Sequence, residues 1–298
     1  MSEERNEKNQ VFGPQGPVAP AQPAPVAQQV PQSMQQSALD IVRAEFGLEI
    51  PVAAVPLPSN GKVYPVGSPL HNCQEVEIRA MTALEEDILT SQALLKKGTV
   101  VTELIKSCLL DKQINPASLL AGDRNALMVS IRITGYDRDY EAEVACGECG
   151  VNSQRSFDLG LLPIKRLELE PVEPGKNVFE FMLPYTKKRV KFRFMTGNDE
   201  EEIMATHERQ KKLGLASDAL VTTNLLYSIV SIEGIEDRNK IAQFTRLMPA
   251  RDSLALRTYI RENEPGIKMR QEVSCPSCGY TEDVSMPLGV KFLWPNAE

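Results

Sequence analysis

The sequence predicts an α+β protein: two internally duplicated helical and β-hairpin repeats joined by a shared four-cysteine zinc ribbon, behind a disordered Pro/Gln-rich arm. Three observations carry that expectation. Residues 123–160 superpose on residues 252–289 at a constant offset of 129, with 13 of 38 positions identical. Chance would supply roughly two or three matches, so the alignment points to an internal repeat. Each aligned block holds one Cys-x-x-Cys-Gly, at Cys146 and Cys149 and again at Cys275 and Cys278. Before residue 37 the chain is dominated by Pro, Gln, Ala and Val with almost no bulky apolar side chain, too little to offset the entropy of ordering.

Composition narrows the function classes. With 298 residues, 42% hydrophobic and 24% charged, the chain is neither collagen-like nor wholly disordered. It carries 33 Lys plus Arg against 40 Asp plus Glu, a net charge of -7, whereas nucleic-acid binding draws its affinity from a basic surplus. No apolar run is long enough to cross a bilayer, and the N-terminus MSEERNEKNQ lacks the apolar core of a signal peptide. The expected compartment is a reducing cytosol, where six cysteines serve as metal ligands or core thiols more readily than as disulfides.

Along the chain, residues 1–36 are expected to form a disordered, partly polyproline-like tether. Within residues 37–72, Leu39, Ile41, Val42, Phe46 and Leu48 support a short helix starting near Ser37 or Asp40. The following PVAAVPLPSNGKVYP is broken by Pro and Gly, so it is expected as an extended or turned segment over the surface. Repeat one spans residues 73–160, a Pro-containing connector 161–177, and repeat two 178–298. Met81-Thr82 precedes Met195-Thr196 by 114 residues and the Lys pair at 96–97 precedes that at 211–212 by 115, rather than 129, so the second copy contains a net insertion of about fourteen residues.

Each repeat reads as a strand, then helices, then a hairpin. Thr82-x-x-Glu85 fits a capping box and Thr196-x-x-Asp199 a weaker one. Glu85, Glu86 and Asp87, like residues 199–202, therefore fall in first helical turns, where the dipole favours acids without any metal or acid/base role. Helical spacing of Val100, Val101, Leu104, Ile105, Cys108 and Leu109 makes Cys108 a core thiol. Leu220, Leu225, Leu226, Ile229 and Val230 suggest the matching helix, and Asp123 and Asp252 are candidate N-caps.

The cysteine pairs carry the chemistry. Each lies between two short strand-like segments, and the Gly after the second Cys lets the backbone turn through positive φ. A two-residue spacing aims two thiolates at one ion, but a tetrahedral structural site needs four. Hence one structural zinc held by Cys146, Cys149, Cys275 and Cys278 would staple the copies together. A redox dithiol reading competes, yet an active Cys-x-x-Cys opens a helix, and Gly150 with a polar strand-like segment follows here. Cys73 lacks co-ligands, His71 and His207 form no triad, and no phosphate-binding glycine loop is present, so no enzyme is expected.

The order of LPSNGKVYP (residues 57–65), EIRAMT leading into an acidic helix, AGDRNAL and IRITGY, two CxxC knuckles and a terminal FLWP resembles the baseplate hub assembly protein family of T-even-like contractile-tailed phages. The likeness covers about residues 50–298. It implies a role in building the tail baseplate, as assembly chaperone or structural tail component, through binding other tail and hub proteins. It also implies a location in the host cytoplasm during assembly or in the virion tail. Phe292, Leu293 and Trp294, with the sole Trp of the chain, are the candidate partner-binding residues; the alternative is that they cover the core of repeat two. A zinc-ribbon nucleic-acid adaptor and a thiol oxidoreductase are the rival functions.

Overall fold

The computed structural model describes residues 41, 43–212, 220–286, 288 and 290–293. It divides into a unit within Met1–Glu49 and a large unit, Ile50–Glu298. In the first, residues 41 and 43–46 are helical, as their spacing predicts, and Arg43 pairs with Glu49 at 3.1 Å. The Pro/Gln arm and the expected helix start at Ser37 or Asp40 lie outside the described residues.

The large unit mixes helices with small antiparallel sheets. Strand β1, Val52–Pro56, pairs with β2, Glu75–Arg79, setting Val55 opposite Val76. Residues 57–74 link them in tight turns, and here the expectation of a surface run fails: Leu57, Ser59, Val63 and Tyr64 are buried. The Ser59 amide donates to Asp123 Oδ1 at 2.9 Å and the Tyr64 hydroxyl to Asp123 Oδ2 at 2.5 Å, which tucks the turn under a helix. Gly61 makes the turn possible, since its φ is +70° and a Cβ there would meet Cys73 N at 2.3 Å.

Three helices follow: α1 Ala83–Thr90, α2 Gln92–Lys97 and α3 Val100–Cys108. Helix α2 stops at Gly98, whose φ of 73° forms a left-handed cap. Helix α3 buries Val100, Leu104, Ile105 and Cys108 on one stripe, with about 2 kcal/mol of stabilisation for each large aliphatic side chain. Leu109 then forms an isolated antiparallel bridge with Ile78. Helix α4, Ala121–Gly135, is buried on several faces, and a hairpin of β3 Asp139–Ala145 and β4 Asn152–Asp158 completes the first half.

The short strand β5, Ile164–Lys165, leads to a second half that again opens on an antiparallel strand pair and ends on a hairpin, with an added strand between its helices. Strands β6 Phe179–Met182 and β7 Arg189–Phe192 pair with Phe181 opposite Val190, and β8 Ile229–Ile232 lies where Leu109 lies in the first half. Helices α5 Gly197–Lys212, α6 Leu220–Ser228, α7 Arg238–Leu247 and α8 Ala250–Asn263 are followed by β9 Gly266–Ile267, which pairs with β5. The hairpin of β10 Arg270–Ser274 and β11 Thr281–Ser285 and the turn α9 Val290–Leu293 end the described chain.

Asp123 and Asp252 are not N-caps. Leu120 and Pro249 occupy those positions, and both carboxylates turn back to a strand–turn connection: Asp252 accepts from the Tyr185 and Thr186 amides at 2.7 and 3.0 Å. Full burial raises the Asp123 carboxyl above its ordinary value, against the pull of Ser59 and Tyr64. No helix among the described residues is long and apolar enough to cross a membrane.

Candidate metal centre

The two hairpins bring the cysteines together. In the first, the register closes at Ala145 opposite Asn152, and in the second at Ser274 opposite Thr281, so each knuckle begins on the residue after a strand. The Cys146 amide donates to Val151 O at 3.1 Å and the Gly150 amide to Cys146 O at 2.9 Å. The second knuckle repeats both bonds, Cys275 to Tyr280 at 2.7 Å and Gly279 to Cys275 at 2.9 Å. Gly150 and Gly279 sit at φ 70° and 74°, the left-handed region the sequence anticipated.

All four thiol sulfurs lie within 4.8 Å of one another. The close pairs cross between halves, Cys146 Sγ to Cys278 Sγ and Cys149 Sγ to Cys275 Sγ, both 3.7 Å apart. Four thiolates about 2.3 Å from a tetrahedral ion would be separated by about 3.8 Å along each edge, so the set fits a metal of that geometry. Cys146 and Cys275 face inward while Cys149 and Cys278 are exposed, which leaves the cluster at the surface. The amides of Cys278 and Ser277 bring the Cys275 thiol down to about 6, while Cys149 and Cys278, against backbone hydrogen bonds that lower them, are raised by desolvation and the neighbouring thiols. The knuckles also hold each other directly: the Gly147 amide donates to Glu282 Oε1 at 3.0 Å, and Arg155 donates to Ser274 O.

The remaining candidates are elsewhere. Cys73 donates to Glu75 O at 2.8 Å, and Cys108 is buried, its thiol pushed up to about 12 chiefly by burial. His71 Nδ1 engages Tyr64 O at 2.6 Å, and His207 is exposed on α5. The acids at the helix starts are structural: Glu85 is buried and clamped by Arg79, and Asp199 by Arg193. Among the described residues, the four cysteines are the group able to hold a metal.

Phe292 and Leu293 are 1% and 0% exposed, and the Phe292 ring lies 5.2 Å from that of Tyr140. In this structure they are core residues rather than surface anchors, because the turn α9 folds back onto α4; Trp294 lies outside the described residues. The sequence reading missed the polar junction of Ser59, Tyr64 and Asp123, because its partners are 64 and 59 residues apart in the chain and carry no shared motif.

No curated protein and no solved structure matches the chain. The sequence model of the family described as T4 bacteriophage base plate protein matches residues 51–294, nearly the whole of the large unit. Its limits enclose both strand–turn connections, both knuckles and Phe292, so the chain belongs to the T4 bacteriophage base plate protein family.

Proposed function

We propose that the protein acts in assembling the hub of a phage tail baseplate, as a non-enzymatic factor that binds other tail proteins, either as assembly chaperone or as a resident tail part. The family match over residues 51–294 carries this reading. The body is read as two copies of one unit stapled by a structural zinc on Cys146, Cys149, Cys275 and Cys278. Three correspondences support duplication. Val55 opposite Val76 and Phe181 opposite Val190 repeat one hairpin register. Arg79 with Glu85 and Arg193 with Asp199 repeat one ion pair at an offset of 114 residues. Asp123 and Asp252, 129 residues apart, both hold the turn that follows the first strand.

The crossed sulfur pairs favour zinc over redox chemistry, since a working dithiol couples the two cysteines within one CxxC. The ion would neutralise part of the thiolate charge and lock the two hairpins, contributing on the order of 10 kcal/mol of apparent folding free energy. The net charge of -7 suits contacts with other proteins rather than with nucleic acid.

The test is affinity capture of full-length protein from infected-cell lysate, beside the protein composition of purified particles. Capture of baseplate proteins with absence from particles identifies a chaperone; presence in both identifies a tail subunit. Capture of nucleic acid alone, with no tail protein, would overturn the reading.

A further inference from the structure

We infer that the protein self-associates head to tail, the β2–α1 connection of one copy docking onto the α7–α8 connection of a second copy. The inference rests on reading the two halves as copies, and it adds a surface and an occupant to that reading. Its basis is an asymmetry between equivalent helix starts. In the first half, the entry into α4 is covered by the second half: the Ala121 amide donates to Met195 O at 2.9 Å, the Gly197 amide donates to Leu119 O at 3.0 Å, and Leu120 bridges Thr196. Leu120, Ala121, Gly122 and Arg124 are buried as a result. Acids from the first turns of α5 complete the joint, with Glu200 and Glu201 each 3.7 Å from the Arg124 guanidinium.

The equivalent entry into α8, 129 residues on, is open. Ala250 and Arg251 are exposed where Ala121 and Gly122 are buried, and Leu247 and Leu254, nearby in the chain, are 84% and 58% exposed. Of α8, Asp252 and Leu256 are buried, whereas α4 buries residues on several faces. A helix start shaped like a covered one but left bare is a socket.

The matching plug is exposed on its helix side, with Met81 and Thr82 half-buried. Met195, Thr196 and Gly197, which cover α4, correspond at an offset of 114 to Met81, Thr82 and Ala83. Thr82 and Glu85 hold this connection as Thr196 and Asp199 hold the other, with amide-to-carboxylate bonds of 2.9 and 2.8 Å. Yet Ala83, Leu84 and Asp87 face solvent.

Size and charge select this occupant. Gly197 is required in the internal joint because a Cβ there would lie 1.7 Å from Arg124 Nη1. At the socket the residue equivalent to Arg124 is Ser253, and at the plug the residue equivalent to Gly197 is Ala83, so a lost side chain makes room for the added methyl. Exposed Arg246, Arg251 and Arg257 lie on α7 and α8 at the socket, and Glu86, which accepts from the Tyr136 hydroxyl, and Asp87 follow the plug. Each copy then has one free plug and one free socket, a heterologous contact that propagates into a ring or a filament.

Sedimentation equilibrium of the full-length protein over a range of concentrations tests this, with Ala83→Arg blocking the plug and Ser253→Arg the socket. Wild type should grow in mass with concentration, and each variant alone should weaken association at least about tenfold. An equimolar mixture of the two variants should form a dimer and stop, because one intact plug meets one intact socket. Urea unfolding midpoints matching wild type show that both variants fold. A wild type that stays monomeric, variants that still associate, or a mixture that fails to dimerise would each overturn the inference. A monomer that still captures tail proteins leaves the assembly function standing, and a self-associating protein that captures none does the reverse.

Discussion

Arg79 grips the Glu85 carboxylate through both guanidinium nitrogens, at 3.0 and 2.6 Å, and Arg193 grips Asp199 in the same way, at 2.8 and 2.5 Å. Each pair ties the last residue of a strand, or the one after it, to the first turn of the helix it enters. The hydroxyls of Thr82 and Thr196 both donate to the clamped carboxylate at 2.7 Å, so strand, cap and helix become one joint.

That joint makes stability depend on acid. Burial works against the charge of Glu85, but hydrogen bonds from Arg79, then Ser107 and Thr82, outweigh it and hold the carboxyl at about 2. An unfolded Glu titrates near about 4.3. The contribution is therefore complete above that value and lost as pH falls towards 2, on the order of 2 kcal/mol after solvent screening. Glu85→Gln should cost about 3 kcal/mol at neutral pH by leaving Arg79 unpaired. Urea unfolding from neutral to acid pH should show a shallower fall for the variant; an unchanged slope counts against the joint.

Metal content should follow the knuckles alone. Cys275→Ser should lose bound zinc and unfold at a much lower temperature, while Cys108→Ser should keep the metal, because its thiol is sealed in the core. Elemental analysis of protein purified without chelator reads the first effect and calorimetry the second. Retained zinc in Cys275→Ser would remove that residue from the ligand set.

Gly122 is a close-approach position between the halves. A Cβ there would lie 1.8 Å from Pro265 O, a backbone atom with little freedom to move. Gly122→Ala should lower stability by at least about 2 kcal/mol through overpacking, despite the better helix propensity of Ala. A calorimetric melting temperature at or above wild type would contradict this packing.

Phe292 tests the fate of the aromatic tail. As a residue buried against Tyr140, its replacement by Ala should cost about 3 to 5 kcal/mol. Lysate capture at a temperature where the variant stays folded should still recover the partners. Normal stability with lost capture would instead make the tail a docking anchor.

Much of the local structure was legible because it is written in short-range chemistry. Thr82 and Glu85 are three residues apart, and their bond needs nothing beyond a helix start. Thr196 and Asp199, read as a weaker cap, bond equally closely, because the Arg193 clamp brings the shorter acid into place. The segment of residues 57–65 misled for the opposite reason: its Pro and Gly residues describe a turn truthfully, but whether a turn is exposed depends on what lies above it. Here that is Asp123, whose demand for donors draws Ser59 and Tyr64 inward.

By itself the sequence determined the two CxxC-Gly knuckles, the α+β character and the family resemblance, since spacing and identity are properties of the chain. Only the tertiary structure decided that Cys146 faces Cys278 and Cys149 faces Cys275, that Phe292 and Leu293 are core, and that the start of α4 is covered while the start of α8 is exposed. Similar sequences can be placed in unequal surroundings, and burial is a relation between distant segments that no local pattern encodes.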